Sequence, residues 1–284
     1  MYGDLRVVDD KNQIVAECPV WDDRNKLLYT VDILGRTIRS TNLKTHQHTE
    51  ALYDQDIGCI VLRENGGLLA AMTDGVYEVF PDGSKKLFCR PPVMKGRRFN
   101  DGKVGPDGRF YVGTVDNDHN GVLYRIDADR SMTELVTHVG CSNGLAWTAD
   151  YRTLYFVDSP DRKLEAFDFD IEKGCLSNRR TVMKFNSDRG VFDGMTIDEE
   201  DVLWIAVWDG GIVYKVDPLK QKVISTVSIP ADIVSSCTFA GDDLKSLIIT
   251  TGSKNVDLRK QPFAGKTFAY DCEVPGKAVW RFQG

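Results

Sequence analysis

Positive charge is in short supply in this chain, in which 36 Lys and Arg stand against 42 Asp and Glu for a formal net charge of −6. A protein that tracks phosphates needs the opposite balance, so no nucleic-acid partner is expected. Long apolar runs are also missing. The first twenty residues carry Asp4, Arg6, Asp9, Asp10, Lys11 and Glu17 in place of a signal peptide's apolar stretch, and no segment approaches the length that crosses a bilayer. Neither a membrane association nor export is expected. Cysteine pairing motifs are absent as well: Cys18, Cys59, Cys89, Cys141, Cys175, Cys237 and Cys272 are odd in number and include no CxxC, which excludes a zinc framework and a disulfide ladder. A reducing, cytoplasmic setting is the expectation.

Helical stripes are the next absence. Short apolar segments with a period of two run through the chain, as in Leu27 to Val31, Phe110 to Val112, Leu154 to Val157, Leu203 to Val207 and Leu247 to Thr250. Such segments read as strands. Turn residues separate them at close intervals, among them Asn65-Gly66-Gly67, Asp74-Gly75, Asp82-Gly83, Asn120-Gly121 and Asp209-Gly210-Gly211. The composition, 42% hydrophobic and 27% charged, belongs to a packed globular chain.

The strands repeat. An apolar strand, a turn and a second aromatic or β-branched strand recur in LLYTVDILGRTIRSTNL, GLLAAMTDGVYEVFPDG, RFYVGTVDNDHNGVLYRID, TLYFVDSPDRKLEAFDFD and VLWIAVWDGGIVYKVDP, with a weaker sixth copy in SLIITTGSKN. Anchored at Leu27, Leu68, Phe110, Leu154, Leu203 and Leu247, the copies are 41, 42, 44, 49 and 44 residues apart. A strand-built period of that size is the signature of propeller blades, whereas jelly rolls and sandwiches require no fixed period. The expectation is an all-β, six-bladed β-propeller in which residues 1–284 form a single domain and a strand near Arg6 to Val8 completes the last blade.

Equal offsets from the anchors place residues at equal positions in the blades, and the segment before each anchor is the innermost strand. That phase is polar: Glu17, Asn100 and Asp193 lie ten residues before their anchors and Asn143 eleven, while Gly58 and Ser236 fill it in the second and sixth copies. Four oxygen-bearing side chains would converge on one end of the channel. Two carboxylates brought together in a partly desolvated funnel repel each other, and a bound cation removes that conflict. Oxygen-only ligation suits a hard divalent ion. Calcium is the expected cofactor, with magnesium, manganese or zinc as alternatives, although none of the four histidines falls at this phase.

At these same residues the sequence resembles a known family. AECPVW (Ala16 to Trp21), RFNDGK (Arg98 to Lys103), SNGLAW (Ser142 to Trp147) and FDGMTID (Phe192 to Asp198) are similar to signature segments of the senescence marker protein, regucalcin and gluconolactonase family, in the right order from about residue 14 to about residue 252. The resemblance implies a six-bladed propeller with one divalent metal in its channel that hydrolyses sugar lactones. It implies Glu17, Asn143 and Asp193 as metal ligands, Arg98 and Asn100 as substrate contacts, and Asp193 additionally as the base. On an extended strand Arg98 and Asn100 share a face, so Arg97 is expected to point away from the channel.

Two departures from the family pattern stand out. Cys18 replaces the usual serine after the first glutamate, an exchange expected to be silent. After Gly113-Thr114, where relatives carry a glutamate pair and a longer loop, this chain runs Asp116-Asn117-Asp118-His119-Asn120, which leaves Asp116 and Asp118 as the candidate substrate contacts on that side and predicts a more open mouth. Asp116, Asp118, Asn120, Gly121 and Asp127 partly match a calcium-loop pattern, but strand-like flanks make this a hairpin connection. His46 and His48 are read as a solvated turn. The expected function is a metal-dependent lactonase acting on a small-molecule sugar lactone; a non-catalytic calcium-binding or interaction propeller and a metal-dependent esterase or phosphotriesterase are the alternatives.

Overall fold

The computed structural model describes residues 5–92, 94, 96–185 and 189–284. Among these, β1 (Arg6–Asp9) precedes six sequential groups of strands. The first blade is β2 (Ala16–Asp22), β3 (Leu27–Asp32), β4 (Thr37–Thr41) and β5 (His48–Leu52), and the second is β6 (Ile57–Leu62), β7 (Leu68–Met72), β8 (Val76–Val79) and β9 (Lys85–Cys89). The third comprises β10 (Arg98–Val104), β11 (Phe110–Val115), β12 (Gly121–Ile126) and β13 (Met132–Val139), the fourth β14 (Ser142–Trp147), β15 (Thr153–Asp158), β16 (Lys163–Asp170) and β17 (Cys175–Lys184). In the fifth stand β18 (Val191–Ile197), β19 (Leu203–Trp208), β20 (Ile212–Asp217) and β21 (Lys222–Ser228). The sixth draws β22 (Val234–Ala240), β23 (Ser246–Thr251) and β24 (Thr267–Asp271) from the end of the chain and takes β1 as its fourth strand.

Each blade is an antiparallel meander, and together the blades form the six-bladed β-propeller. The repeat anchors fall in the second strands, which are sandwiched between neighbouring blades and therefore read as continuous apolar runs; all of β19 except Trp208 is buried. Outer strands meet solvent and turn polar, as β17 does with Arg179, Arg180 and Lys184. Ring closure joins the two ends of the chain in one blade, whose outer edge strand is β1. It is made by Arg6 pairing with Ala269 and Val7 with Phe268, supplemented by the buried Asp9, which takes an ion pair from Arg39 in the first blade.

Inner strands all start at one end of the channel, called here the mouth. The opposite end is covered by the segment after β24. Gly276 bridges Asp198, Trp280 packs edge-on against Trp147 at 6.0 Å, and Phe282 is fully buried beside Phe88, with its backbone bonded to Leu62 and Glu64 of the second blade. Ser159–Asp161, just after β15, is a single 3₁₀ turn at the mouth, and no helix among the described residues is long and apolar enough to cross a membrane.

Because Phe282 ties the chain's end to the second blade, Phe282→Ala should cost about 3–5 kcal/mol, the range for truncating a buried aromatic. Urea unfolding checks this, and a loss below about 1 kcal/mol would show that the segment is not part of the cooperative unit.

Candidate metal and substrate site

All six inner strands carry a register break at the same level. In β2 the partners pass from Glu17 with Val31 to Val20 with Tyr29, in β10 from Phe99 with Thr114 to Gly102 with Val112, and in β18 from Phe192 with Val207 to Met195 with Ile205. The corresponding breaks in β6, β14 and β22 lie at Gly58, Gly144 and Ser235. Each inserts one extra residue on the inner strand, a β-bulge that bends the strand and re-aims its side chains. The blades also approach closely here: a Cβ on Gly58 would lie 2.4 Å from the Phe99 carbonyl oxygen and 2.7 Å from that of Asn100, so only glycine fits.

The bulges surround a cavity of about 270 Å³ at the mouth. Its polar wall is built from Glu17, Arg98, Asn100, Asn143, Ser159 and Asp193, and Cys141 lies among them. Val15, Ile33, Leu34, Val191 and Trp208 supply the apolar side. Glu17, Asn100, Asn143 and Asp193 are all buried.

A chain of hydrogen bonds fixes the amides. Arg98 donates to Asn100 Oδ1 at 2.8 Å, Asn100 Nδ2 donates to Asn143 Oδ1 at 2.9 Å, Asn143 Nδ2 donates to Ser159 Oγ at 2.6 Å, and Ser159 donates to the Phe192 carbonyl at 2.7 Å. The Asn143 carbonyl is thereby held on the side facing Asn100. Arg98 Nη1 also donates to the Phe99 carbonyl, while its Nε and Nη2 have no protein hydrogen bond among the described residues.

Glu17 and Asp193 are the electrostatic centre. Burial, followed by repulsion from Asp101, pushes the Glu17 carboxyl from its ordinary 4.5 up to about 8. Burial raises Asp193 well above the ordinary carboxylate range, with the Glu17 and Asp101 charges adding to the effect. Such a site is unfavourable to ionise alone. Its oxygen-only donors, with two carboxylates in mutual repulsion and an amide oxygen held in place, fit a hard divalent cation.

Asp101 was not anticipated. Strict alternation from Asn100 turns it away from the channel, but the bulge spans both residues, and the Asp101 charge acts on both Glu17 and Asp193. Cys141, Ser159 and Trp208 also escaped the phase argument, because they come from loops or strand ends at the mouth. Cys18 is more than a small filler: its backbone has φ +45°, its N–H donates to Glu17 Oε2 at 2.6 Å, and its sulfur lies 3.3 Å from both the carbonyl oxygen and the amide nitrogen of Ile60 in the next blade.

Asp116 and Asp118 lie outside the cavity wall. Asp116 accepts backbone N–H groups from Asp118 and Asn120 and faces Arg97 at 3.4 Å, which organises its own hairpin; Asp118 is exposed. Arg97 is thus engaged away from the cavity. The partial calcium-loop pattern is not assembled, since Asp127 sits at the far end of β12 in ion pairs with Arg109 and Arg125. His48 bonds Thr41, and His46 is exposed in its turn. His119, Asp158 and Asp161 bring ligand atoms within 4.8 Å of one another beside the mouth. There, however, Asp158 accepts the Gly140 and Cys141 N–H groups, just as Asp32 accepts those of Ile14 and Val15, and Asp161 pairs with Lys163.

Residues 15–253 match the family model described as the SMP-30/Gluconolactonase/LRE-like region. The chain belongs to that family. Regucalcin of Danio rerio is 40% identical over 273 residues, covering 92% of each chain, and the inferred sugar lactone lactonase YvrE of Bacillus subtilis is 31% identical over 283 residues, covering 97% of each. Among solved structures, a luciferin-regenerating enzyme superposes with a TM-score of 0.92 at 27% identity, covering 99% of both chains. A calcium-binding regucalcin from Agrobacterium tumefaciens gives 0.93 at 23% identity over 98% of this chain and 97% of its own, a likeness of fold.

The raised carboxyls carry a pH signature. Glu17 and Asp193 bind protons more tightly folded than unfolded, so the chelator-treated protein should lose stability as pH rises from about 5 towards about 8. Glu17→Gln should flatten that loss, giving a smaller fall in Tm between pH 5.5 and pH 8 than the parent shows. Parallel Tm profiles would mean that Glu17 is ionised without penalty.

Proposed function

We propose that this chain is a metal-dependent sugar lactonase whose cation is held by Glu17, Asn143 and Asp193. The observation that carries this reading is the convergence of three oxygen donors from three blades on one cavity that also presents Arg98 and Asn100. The family and the lactonase name of a 31% identical relative support the reaction class, and the calcium-binding regucalcin fold supports the choice of calcium. When bound, the cation supplies Lewis-acid polarisation of the ester carbonyl.

The protein's own groups do the rest. Arg98, with Nε and Nη2 uncommitted, donates to substrate hydroxyls, and Asn100 Oδ1 keeps a lone pair to accept from them, its Nδ2 being spent on the Ser142 carbonyl and Asn143. Asp193 takes a proton from the attacking water as the water oxygen bonds to the carbonyl carbon; the ring C–O bond then breaks and Asp193 returns that proton to the released alkoxide, giving the open hydroxy acid. A carboxylate that also ligates a cation is a weakened base, because the ion lowers its pKa. Burial and the Asp101 charge oppose that effect and keep its proton affinity up.

The second reading, a calcium-binding propeller without catalysis, is favoured by the regucalcin name of the 40% identical relative. A panel of aldonolactones assayed with and without chelator distinguishes the two: the lactonase opens the ring and loses activity when the metal is removed.

Asp193→Ala should abolish hydrolysis and weaken metal binding together, as read by lactone turnover and calorimetric titration with calcium. Unchanged turnover would remove Asp193 from the site. Arg98→Ala should leave calcium affinity nearly intact yet lower kcat/KM on a polyhydroxylated lactone by roughly 1.5–3 kcal/mol, with a much smaller loss on a lactone lacking hydroxyls. Arg97→Ala should do little on either substrate, since it faces Asp116. Equal losses on both lactones would place Arg98 on the carbonyl instead.

A further inference from the structure

The connection between the second and third strands is short in five blades, spanning residues 33–36, 73–75, 116–120, 159–162 and 209–211. In the sixth it covers 252–266, fifteen residues at the mouth. A loop of that length without regular structure usually serves a function. This one is pinned in place. Ser253 bonds the Gln13 and Ile14 carbonyls ahead of the first blade, and Gln261 exchanges two hydrogen bonds with Asp232, at 3.0 and 2.6 Å.

The loop walls a second cavity of about 450 Å³, which shares Trp208 and Lys254 with the metal cavity. Around it stand Asp209, Asn255 and Lys260, whose side chains, like that of Lys254, make no protein hydrogen bond or ion pair among the described residues. Donors and acceptors are thus available beside an indole that borders both cavities. Charges of both signs line the space, Asp209, Asp232 and Asp257 against Lys254 and Lys260, which suits a neutral polyol better than a phosphate or carboxylate.

We propose that this outer cavity is a subsite for the glycosyl group of a disaccharide lactone. The lactone ring occupies the metal cavity and the second sugar crosses Trp208, stacking its C–H face on the indole and spending its hydroxyls on Asp209, Asn255 and Lys260. The inference rests on the lactonase reading and specifies its substrate class: an aldonolactone bearing a further sugar. The chemistry at the ring is unchanged, and the added contacts lie remote from the reacting carbonyl, so they appear in KM.

The test compares glucono-1,5-lactone with cellobiono-1,5-lactone, which differ only by a glucosyl group. KM for the disaccharide should be lower by at least about fivefold, the effect of one or two net hydrogen bonds. Asp209→Gly, which suits the positive φ there, combined with Asn255→Ala and Lys260→Ala should remove most of the difference and leave glucono-1,5-lactone kinetics unchanged. Equal KM values in the parent, or a preference kept at full size in the triple variant, would overturn the subsite. Calorimetry with cellobiitol and glucitol keeps the two readings apart. Tighter cellobiitol binding that the variant loses, in a protein that opens neither lactone, supports the subsite and removes the lactonase reading; glucono-1,5-lactone hydrolysis without tighter cellobiitol binding does the reverse.

Discussion

Two buried carboxylates facing one cavity set the terms for the mouth of this propeller. Glu17 and Asp193 come from different blades and both are buried; burial makes each costly to ionise, the Glu17 charge adds to that cost at Asp193, and Asp101 adds to it at both. Replacing such a pair by apolar side chains would relieve the fold at once. Its presence, framed by amides locked through the Arg98 to Ser159 hydrogen-bond chain, fits the cation site proposed above, since a positive ion would resolve the repulsion.

The remainder of the structure makes that crowding sustainable. Closure of β1 onto β24 fixes the circumference, so the inner strands cannot spread to relax the repulsion. Bulges at one level in every blade direct the polar groups inward, and Gly58 lets two inner strands come together without a side chain between them. At the other end the segment through Trp280 and Phe282 covers the channel, leaving the site a single mouth.

Most of the fold was legible in the chain because a blade's second strand is buried on both faces and must be apolar, and that strand recurs at a nearly constant step. The sixth copy looked weak for a physical reason: its third strand arrives only after the 252–266 loop, and its fourth comes from the other end of the chain. At the site, the phase of the repeat pointed to Glu17, Asn100, Asn143 and Asp193, which line one cavity, and the family resemblance added Arg98, whose facing follows from pleat alternation with Asn100. Asp101 was hidden because a bulge leaves no mark in composition and breaks the alternation on which facing is judged. The backbone role of Cys18 was hidden for the same reason, its positive φ being a property of the bulge. Asp116 was read as a substrate contact from its place in the loop, whereas its carboxylate accepts two backbone N–H groups of its own hairpin.

Crystals soaked in manganese and measured at its absorption edge would test the central claim most directly. The account predicts one strong anomalous peak per chain within coordination distance of Glu17, Asn143 and Asp193, lost in Asp193→Ala. A peak at His119, Asp158 and Asp161 instead, or none at the mouth at saturating metal, would contradict it.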